Sequence, residues 1–335
     1  MRKISTLLVG WLLIFGHQAA FGQNPKLIED AKREGGKVVV YTTMESFTAD
    51  AIKAAFEKKT GLQVEYWRGG ITDVLARALS EHRVGKPVFD VIGISADYMQ
   101  LVAKEGALVK YESPSLKGFA KDAIDPLLGA RYRNILLGVI YNKNEFKGSP
   151  APKTLEDVVK PEYRGKLVMP HPVNHLTTTQ WLASLDKIMS KARAEKFIRD
   201  LAAAKPIFVD NTIPASERVS SGETPIAISF PRFVLTYNKQ GGNLDYVRDY
   251  NMLGDGHYIC LGAKAPRPNA GKAFIDFFLD DESMKIQAET GEFVNRSGIY
   301  PPLQDADKIK FVQMYQLNKE EFEIKKKEYQ KLFLQ

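Results

Sequence analysis

The first third of the chain alternates between short apolar runs and segments of helical periodicity. The apolar runs at residues 37–41, 62–66 and 89–94 have the length and composition of buried strands. Between them, residues 48–59 and a segment that begins at Thr72 repeat apolar side chains at helical spacing. Strands that alternate with helices predict a parallel sheet with helices packed against it.

The same pattern starts again after a long apolar run at residues 133–141, which is long enough to pass from one lobe to another. Further strands are predicted at 166–169, 206–209 and 225–229, with helices between them, and these elements form a second α/β unit. A second crossing strand is predicted at 258–262. The predicted fold class is therefore α/β, with two lobes joined by two crossover strands.

These crossings divide the chain into two discontinuous lobes. We expect residues 23–133 and 256–300 in lobe 1, and residues 134–255 and 301–335 in lobe 2. Ligands of such sheets bind beyond the carboxyl ends of the strands, where loops lead into helices. The pattern predicts a ligand cleft between the lobes that closes by a hinge near residues 133–139 and 253–258.

The first 22 residues match a secretory signal peptide. They have a positive start at residues 2–3, a mostly apolar stretch at 4–15, and a cleavage site before Gln23. About a dozen apolar residues are too few for a membrane anchor, so cleavage and export to the periplasm are expected. The lone cysteine, Cys260, lies far from the cleavage site, so no lipid anchor is expected. Its apolar neighbours at 258–261 predict a buried thiol.

Charge gives only weak guidance about partners. The chain has 47 basic and 40 acidic residues, and its formal net charge is +7. The densest basic run, at residues 325–327, lies among glutamates, which is typical of a solvated helix face and not of a nucleic-acid-binding patch. We therefore expect no nucleic-acid partner, although a mild positive field favours anionic ligands.

The segments that follow the predicted strands are rich in hydroxyl groups and contain two arginines. Helix N-termini at these places offer free N–H groups, and a guanidinium can hold an oxyanion through two parallel hydrogen bonds. This chemistry suits a phosphate, a phosphonate or a carboxylate. The candidate ligand-binding residues are Thr42, Thr43, Arg68 and Ser95 in lobe 1, and His171, Thr177, Ser229 and Arg232 in lobe 2.

Motifs for catalysis or metal binding are weak in this chain. His171 and His175 are four residues apart, but prolines on both sides of His171 place it in a loop. Glu45 and Asp97 could form an acid–base pair, yet no nucleophile with a partnered base accompanies them. The sequence predicts a binding protein with no catalytic residue, no metal and no cofactor.

Five segments resemble, in order, those of extracellular solute-binding proteins of ABC importers. They are VVYTT at 39–43, FEKKTG at 56–61, GVIYNK at 138–143, PEYRGK at 161–166 and PNAGKAFIDFFL at 268–279. The resemblance implies a two-lobe periplasmic-binding-protein-like fold of type II that closes over a small-molecule ligand. It also implies an ABC permease in the inner membrane as the partner of a monomeric binding protein.

The nearest branch in this resemblance is that of ferric-ion-binding proteins and their phosphonate- or organophosphate-binding relatives. Ferric-binding relatives typically carry a histidine where this chain has TME at 43–45, and a glutamate where it has Ser95. They carry adjacent tyrosines where this chain has FPRF at 230–233. Ferric iron prefers anionic oxygen ligands and would be repelled by an arginine. These departures favour a small organic anion, such as a phosphonate, a sugar phosphate or a carboxylate.

Other readings stay open at this point. Ferric iron could be held by scattered oxygen ligands such as Glu45, Asp97 and Tyr237. Because a fold does not fix a function, a ligand sensor that docks on a membrane receptor, or an enzyme on the same scaffold, is also compatible with the pattern.

Overall fold

The computed structural model describes residues 24–334, so the predicted signal peptide lies outside the described residues. The helices are α1 Pro25–Arg33, α2 Ser46–Thr60, α3 Ile71–Arg83, α4 Ala96–Lys104, α5 Leu176–Ala183, α6 Lys191–Ala203, α7 Thr212–Ser221, α8 Arg232–Asn238, α9 Pro268–Phe278, α10 Asp281–Glu289 and α11 Lys319–Phe333. Within the described range, none of these helices is long and apolar enough to cross a membrane.

Fourteen strands accompany the helices in the described part of the chain. The strands are β1 Lys37–Thr42, β2 Gln63–Arg68, β3 Val91–Ser95, β4 Leu108–Val109, β5 Ile124–Asp125, β6 Gly129–Leu136, β7 Gly138–Asn142, β8 Leu167–Pro170, β9 Ile207–Val209, β10 Ile226–Ser229, β11 Leu244–Tyr246, β12 Asn251–Gly262, β13 Phe293–Val294 and β14 Lys310–Gln313.

The larger sheet forms the centre of lobe 1. Its strand order is β13-β6-β12-β3-β1-β2, and β4, β5 and β14 pair at its sides. Strand β1 is parallel to β2 and β3, whereas β12 is antiparallel to β3 and β6. The sheet is therefore mixed, and the prediction of a parallel sheet was correct only for its first three strands. The antiparallel member arises because the chain returns from lobe 2 in the opposite direction.

The smaller sheet forms the centre of lobe 2. Its strand order is β11-β7-β10-β8-β9. Strand β8 is parallel to β9 and β10, and β7 is antiparallel to β10 and β11. Two mixed sheets with helices on their faces confirm the predicted two-lobe α/β fold.

Two segments pass between the sheets. The first is the junction at Leu137, where β6 of the larger sheet leads directly into β7 of the smaller one. The second crossing is the start of β12, where residues 251–254 pair with β14. Residues 258–262, predicted as the crossing strand, instead lie inside lobe 1, where residues 258–261 pair with β3 and Gly262 pairs with β4. β12 is one continuous strand of twelve residues, long enough to begin at the crossing and to end inside lobe 1. The crossing is at its first residues, about seven residues before the predicted position.

Each lobe has its own buried core on both faces of its sheet. In lobe 1, helices α2 and α9 pack on one face through Phe56, Phe274 and Phe277. In lobe 2, the C-terminal helix α11 buries Tyr329 beside Trp181 and other apolar residues of α5 and α6. The boundaries given above for the two lobes stay a prediction. Cys260 is buried as predicted, and its thiol lies 3.4 Å from the carbonyl oxygen of Leu128.

Candidate ligand-binding site

Arg232 reaches from lobe 2 to lobe 1. It is the first residue of α8, shortly after β10, and it is only 5% exposed. Its Nη1 donates a hydrogen bond to Oε1 of Glu292 at 3.0 Å, and its Nη2 donates to Oε1 of Glu45. Glu45 follows β1 and Glu292 precedes β13, so both carboxylates belong to the larger sheet. Charged hydrogen bonds therefore join the two lobes in a closed arrangement.

A second arginine approaches the same carboxylates from within lobe 1. Nη1 of Arg133, in β6, donates to Oε1 of Glu292 at 2.7 Å and lies 3.5 Å from Oε2 of Glu45. Arg133 is 0% exposed and Glu292 is 1% exposed, whereas the Glu45 side chain is 25% exposed. We call Glu45, Arg133, Arg232 and Glu292 the interlobe ion cluster. It holds two positive and two negative groups, and this pairing offsets the cost of burying them.

The arginines keep the cluster charged. Burial disfavours the charged form of Glu45, but Arg232 and Arg133 outweigh that effect and lower the pKa of Glu45 to about 2. Burial, together with the charge of Arg133, holds the pKa of His257 well below its ordinary value. His257 is therefore neutral near pH 7, and protonation does not add a third positive charge to this region.

Gly291 permits the close approach of the lobes at Arg232. Its φ of 97° lies in the left-handed region, which glycine adopts without steric cost. A Cβ at this position would lie 3.1 Å from the carbonyl oxygen of Arg232. Nearby, Nζ of Lys239 in lobe 2 donates to the carbonyl oxygen of Glu289 at 3.0 Å. The loop from α10 to β13 is thus the part of lobe 1 that packs against α8.

Several buried polar atoms around the cluster have no hydrogen-bond partner among the described residues. They are Nε and Nη2 of Arg133, Nε of Arg232, Oε2 of Glu292 and Oγ1 of Thr43. Buried polar groups in folded proteins are normally hydrogen-bonded, so unused donors of this kind point to a missing partner. Three of the five atoms are guanidinium nitrogens, which suit an oxyanion or ordered water.

Two carboxyl groups of lobe 1 interact near the carboxyl end of β3, and we call Asp97 and Asp255 the acidic pair. Asp97 lies in the first turn of α4, which follows β3, and Asp255 lies in β12. Oδ1 of Asp255 accepts hydrogen bonds from Nε2 of Gln313 at 3.1 Å and of Gln316 at 3.3 Å. Gln316 in turn accepts from Gln180 of α5 at 3.1 Å, which connects this region to lobe 2.

The acidic pair holds its protons unusually tightly. Burial, reinforced by the charge of Asp255, raises the pKa of Asp97 to about 7. Burial raises the pKa of Asp255 to about 6, although the hydrogen bonds from Gln313 and Gln316 act in the opposite direction. Neither carboxyl forms an ion pair within residues 24–334.

We expect the acidic pair to make the ligand-free protein less stable as pH rises. The folded state binds these protons more tightly than the unfolded chain, so the free energy of unfolding falls from about pH 4 to about pH 7. Asp97→Asn should flatten this fall in a series of calorimetric melting temperatures. The exposed Asp73→Asn, in the first turn of α3, serves as the control. Parallel pH profiles for wild type and Asp97→Asn would contradict the assignment.

The other predicted residues of lobe 1 lie at the expected sheet edge. Thr42 and Ser95 end the neighbouring strands β1 and β3, and both are buried. Oγ1 of Thr42 accepts from the backbone N–H of Met44 at 3.0 Å. Arg68 is exposed, and its Nε donates to the carbonyl oxygen of Met44 at 2.9 Å. The structure therefore brings Thr42, Thr43 and Ser95 close to the cleft edge of the sheet, with Arg68 at its border.

The predicted residues of lobe 2 differ in whether their side chains are free to contact a ligand. The Ser229 hydroxyl lies 2.7 Å from that of Ser216 and donates to the carbonyl oxygen of Thr212 at 3.1 Å, so it fastens α7 to β10 inside the lobe. Nδ1 of His171 accepts from the backbone N–H of Val173 at 3.1 Å. Thr177 lies in the first turn of α5 and is partly buried. Arg232 is the member of this set that contacts the opposite lobe.

His175 caps a helix. Its Nδ1 accepts from the backbone N–H of Thr178, at the start of α5, at 3.3 Å. Burial lowers the pKa of His175 to about 4. Within residues 24–334 there is no group of three or more histidine, cysteine, aspartate or glutamate side chains that could hold a metal ion.

Sequence reasoning missed most of the interlobe ion cluster. Arg133 and Glu292 were not candidates, and Glu45 was considered only for catalysis or iron binding. A usable signal was present, because Arg133 begins a nearly continuous apolar run and Glu292 stands between Gly291 and Phe293. A charged residue inside a buried strand needs a partner, but a single sequence does not reveal which residue that is.

The contact between Arg232 and Glu45 is expected to hold the ligand-free lobes together. Glu45→Gln removes one charged hydrogen-bond partner, which weakens the closed form by about 1.5–3 kcal/mol. We expect a larger radius of gyration for the ligand-free variant in small-angle X-ray scattering. Glu65→Gln on the exposed edge of β2 should leave the radius unchanged. An unchanged radius in Glu45→Gln would show that this contact does not control the opening of the cleft.

Solved structures of periplasmic binding proteins have the same fold. The chain superposes on the iron-bound HitA of Pseudomonas aeruginosa with a TM-score of 0.67 and 20% identity, covering 89% of this chain and 98% of HitA. For AfuA of Actinobacillus pleuropneumoniae with bound fructose-6-phosphate, the TM-score is 0.67 and the identity 19%, over 89% and 97% of the two chains. The substrate-binding protein of an ABC transporter from Agrobacterium tumefaciens gives a TM-score of 0.73 at 15% identity, over 89% and 94%.

The family comparison covers most of the chain. No curated protein matches the sequence. The family model described as bacterial extracellular solute-binding protein matches residues 51–320. This match includes the smaller sheet, every strand of the larger sheet except β1, and the interlobe ion cluster except for Glu45. It describes binding proteins and not enzymes, as the sequence predicts. The chain therefore belongs to the family of bacterial extracellular solute-binding proteins.

Proposed function

We propose that this protein captures a small organic anion between its lobes and delivers it to the permease of an ABC importer. The observation that carries the proposal is Arg232, a buried arginine of lobe 2 that meets a second buried arginine, Arg133, across the cleft. Together they retain three guanidinium nitrogens without a partner in the described residues. A phosphonate, a sugar phosphate or a carboxylate has the oxygen atoms that these donors require.

Glu45 is the residue that such an anion would replace. Its side chain is 25% exposed, whereas Glu292 is 1% exposed and held by both arginines. When the lobes open, Glu45 can turn toward solvent while Glu292 stays in place. The anionic group of the ligand then takes over the contact with Arg232, and closure excludes water from the new hydrogen bonds.

The remaining predicted residues complete the proposed site. The unpaired hydroxyl of Thr43 supplies a further donor from lobe 1. Thr42, Ser95 and Arg68 border the same sheet edge. We infer that His171, in the loop before α5, and Thr177, in the first turn of α5, complete the site from lobe 2. Ser229 acts indirectly, since its hydroxyl bonds inside lobe 2 and fixes the segment that carries Arg232.

Export is part of the same proposal. The family consists of extracellular proteins, so we place this protein in the periplasm after cleavage before Gln23. There it would act as a monomer and dock on a permease in the inner membrane. Ferric iron is a weaker candidate, because Glu45 is already paired with two arginines and the positive charge of Arg232 occupies the cleft.

Native mass spectrometry of the purified protein tests the proposal. A co-purified small anion should appear as a mass above that of the mature chain and should be lost after unfolding and refolding. The stripped protein should then bind one of a panel of phosphonates, sugar phosphates and carboxylates in calorimetric titrations. A visible iron-to-phenolate absorption band that disappears with a chelator, and no binding of any anion, would overturn the proposal.

A further inference from the structure

The acidic pair has no direct ion-pair partner among the described residues. Asp97 and Asp255 belong to one lobe and oppose each other's ionisation, and no lysine or arginine forms an ion pair with either of them within residues 24–334. Asp255 accepts hydrogen bonds from neutral groups, namely the amides of Gln313 and Gln316 and the hydroxyl of Ser95. Burying a carboxylate without an ion-pair partner costs folding free energy, and such groups are typical of functional sites.

The acidic pair lies beside the arginines of the interlobe ion cluster. In the pairing of β12 with β6, His257 is opposite Arg133, and Asp255 is two residues before His257 on the same strand. Residues i and i+2 of a strand point to the same face and are separated by about 7 Å. This register places Asp255 and Arg133 in one polar region, and the charge of Arg133 slightly opposes the rise in the pKa of Asp255 that burial causes.

A buried polar atom between the two groups also lacks a partner. His257 is 5% exposed, and its Nδ1 has no hydrogen-bond partner among the described residues. The unused guanidinium nitrogens of Arg133 lie on the neighbouring strand. Asp255, His257 and Arg133 thus form a buried polar row. Carboxyl groups lie at one end, guanidinium groups lie at the other, and Nδ1 of His257 lies between them without a hydrogen-bond partner in the described residues.

We propose that the ligand is a zwitterion, with a protonated amine held by Asp97 and Asp255 and an anionic group held by Arg232 and Arg133. This inference rests on the proposed function and narrows its substrate class to amino-substituted carboxylates or phosphonates. Asp255 lies only two residues along β12 from the position opposite Arg133, so short ligands, with two to four carbon atoms between the amine and the acid, are the first candidates. An ammonium group donates three hydrogen bonds and neutralises carboxylates that form no ion pair within residues 24–334.

Calorimetric titration with matched compounds tests this inference. The probes are ω-amino carboxylates and ω-aminoalkyl phosphonates with two to four carbon atoms between the charged groups, the same acids without the amine, and the same amines without the acid. The stripped wild-type protein should bind the best zwitterion at least about 10-fold more tightly than the matching acid, equal to about 1.4 kcal/mol. Asp97→Asn and Asp255→Asn should remove this preference, and Asp73→Asn should retain it.

The possible failures are distinguishable. If the acids bind through Arg232 and the amine adds no affinity, the zwitterion is wrong and the proposed function stands. If no probe binds, or if Arg232→Ala changes nothing, the proposed function fails together with the inference. Amines that bind without an acid group and independently of Arg232 would also overturn the zwitterion inference. The comparison of probes on the wild type decides the matter even if the aspartate variants fold poorly.

Discussion

Replacement of Arg232 by alanine is expected to weaken ligand binding at least about 100-fold. A hydrogen bond to a charged group contributes about 1.5–3 kcal/mol, and a bidentate contact with an anion uses two of them. The loss also leaves Glu292 with Arg133 as its one remaining ion-pair partner in the described structure. Isothermal titration calorimetry with the native ligand measures the change directly.

Arg232→Lys is expected to give an intermediate result. A lysine keeps the positive charge but cannot present the planar fork of a guanidinium, so we expect about a 10-fold loss of affinity. Arg199→Ala, on the exposed face of α6 in the same lobe, is the matched control and should bind like the wild type. Affinities of Arg232→Ala within about threefold of the wild type, below 1 kcal/mol, would exclude this residue from the site.

Replacement of Glu292 by alanine is expected to have the largest effect on stability. Glu292 is 1% exposed and is the carboxylate shared by Arg133 and Arg232 at 2.7 and 3.0 Å. Its removal leaves Arg133 buried, with Glu45 at 3.5 Å as its remaining ion-pair partner in the described structure. Breaking a buried ion pair from one side costs about 3–5 kcal/mol of unfolding free energy.

Denaturant unfolding of Glu292→Ala and of a double variant checks this explanation. Glu289→Ala, three residues earlier and exposed, should unfold like the wild type. The double variant Arg133→Leu/Glu292→Leu removes both charges. Its loss of unfolding free energy should therefore be smaller than the summed losses of the single variants Arg133→Leu and Glu292→Leu. Additive losses would mean that Glu292 stabilises the fold through packing and not through its charge.

The fold followed from local patterns in the sequence, with two errors, the parallel sheets and the position of the second crossing. Alternating strands and helices were sufficient for two α/β lobes, because each short apolar run must be buried by neighbouring helices. The second crossing was misplaced because residues 258–262 are the most apolar part of β12, while the crossing part, residues 251–254, contains Asn251 and Gly254. Gly254 passes so close to Ile135 that a Cβ there would lie 2.6 Å from its carbonyl oxygen.

The candidate site was predictable in position but not in its contacts. The rule that loops at the carboxyl ends of strands form the cleft correctly placed Thr42 and Ser95 at one sheet edge. It could not reveal that Ser229 points into lobe 2, since both faces of β10 are buried and alternation gives no direction. Nor could it pair Glu45 with Arg232, which is 187 residues away. Long-range ion pairs depend on how the two lobes close, and local patterns carry no information about that.

A crystal structure of the protein with its natively bound ligand is the most direct test of the central claim. We expect an anionic group between the lobes within hydrogen-bonding distance of the Arg232 guanidinium, with Glu45 displaced from its contact with that residue. A ligand bound elsewhere, while Arg232 keeps both Glu45 and Glu292, would contradict the claim.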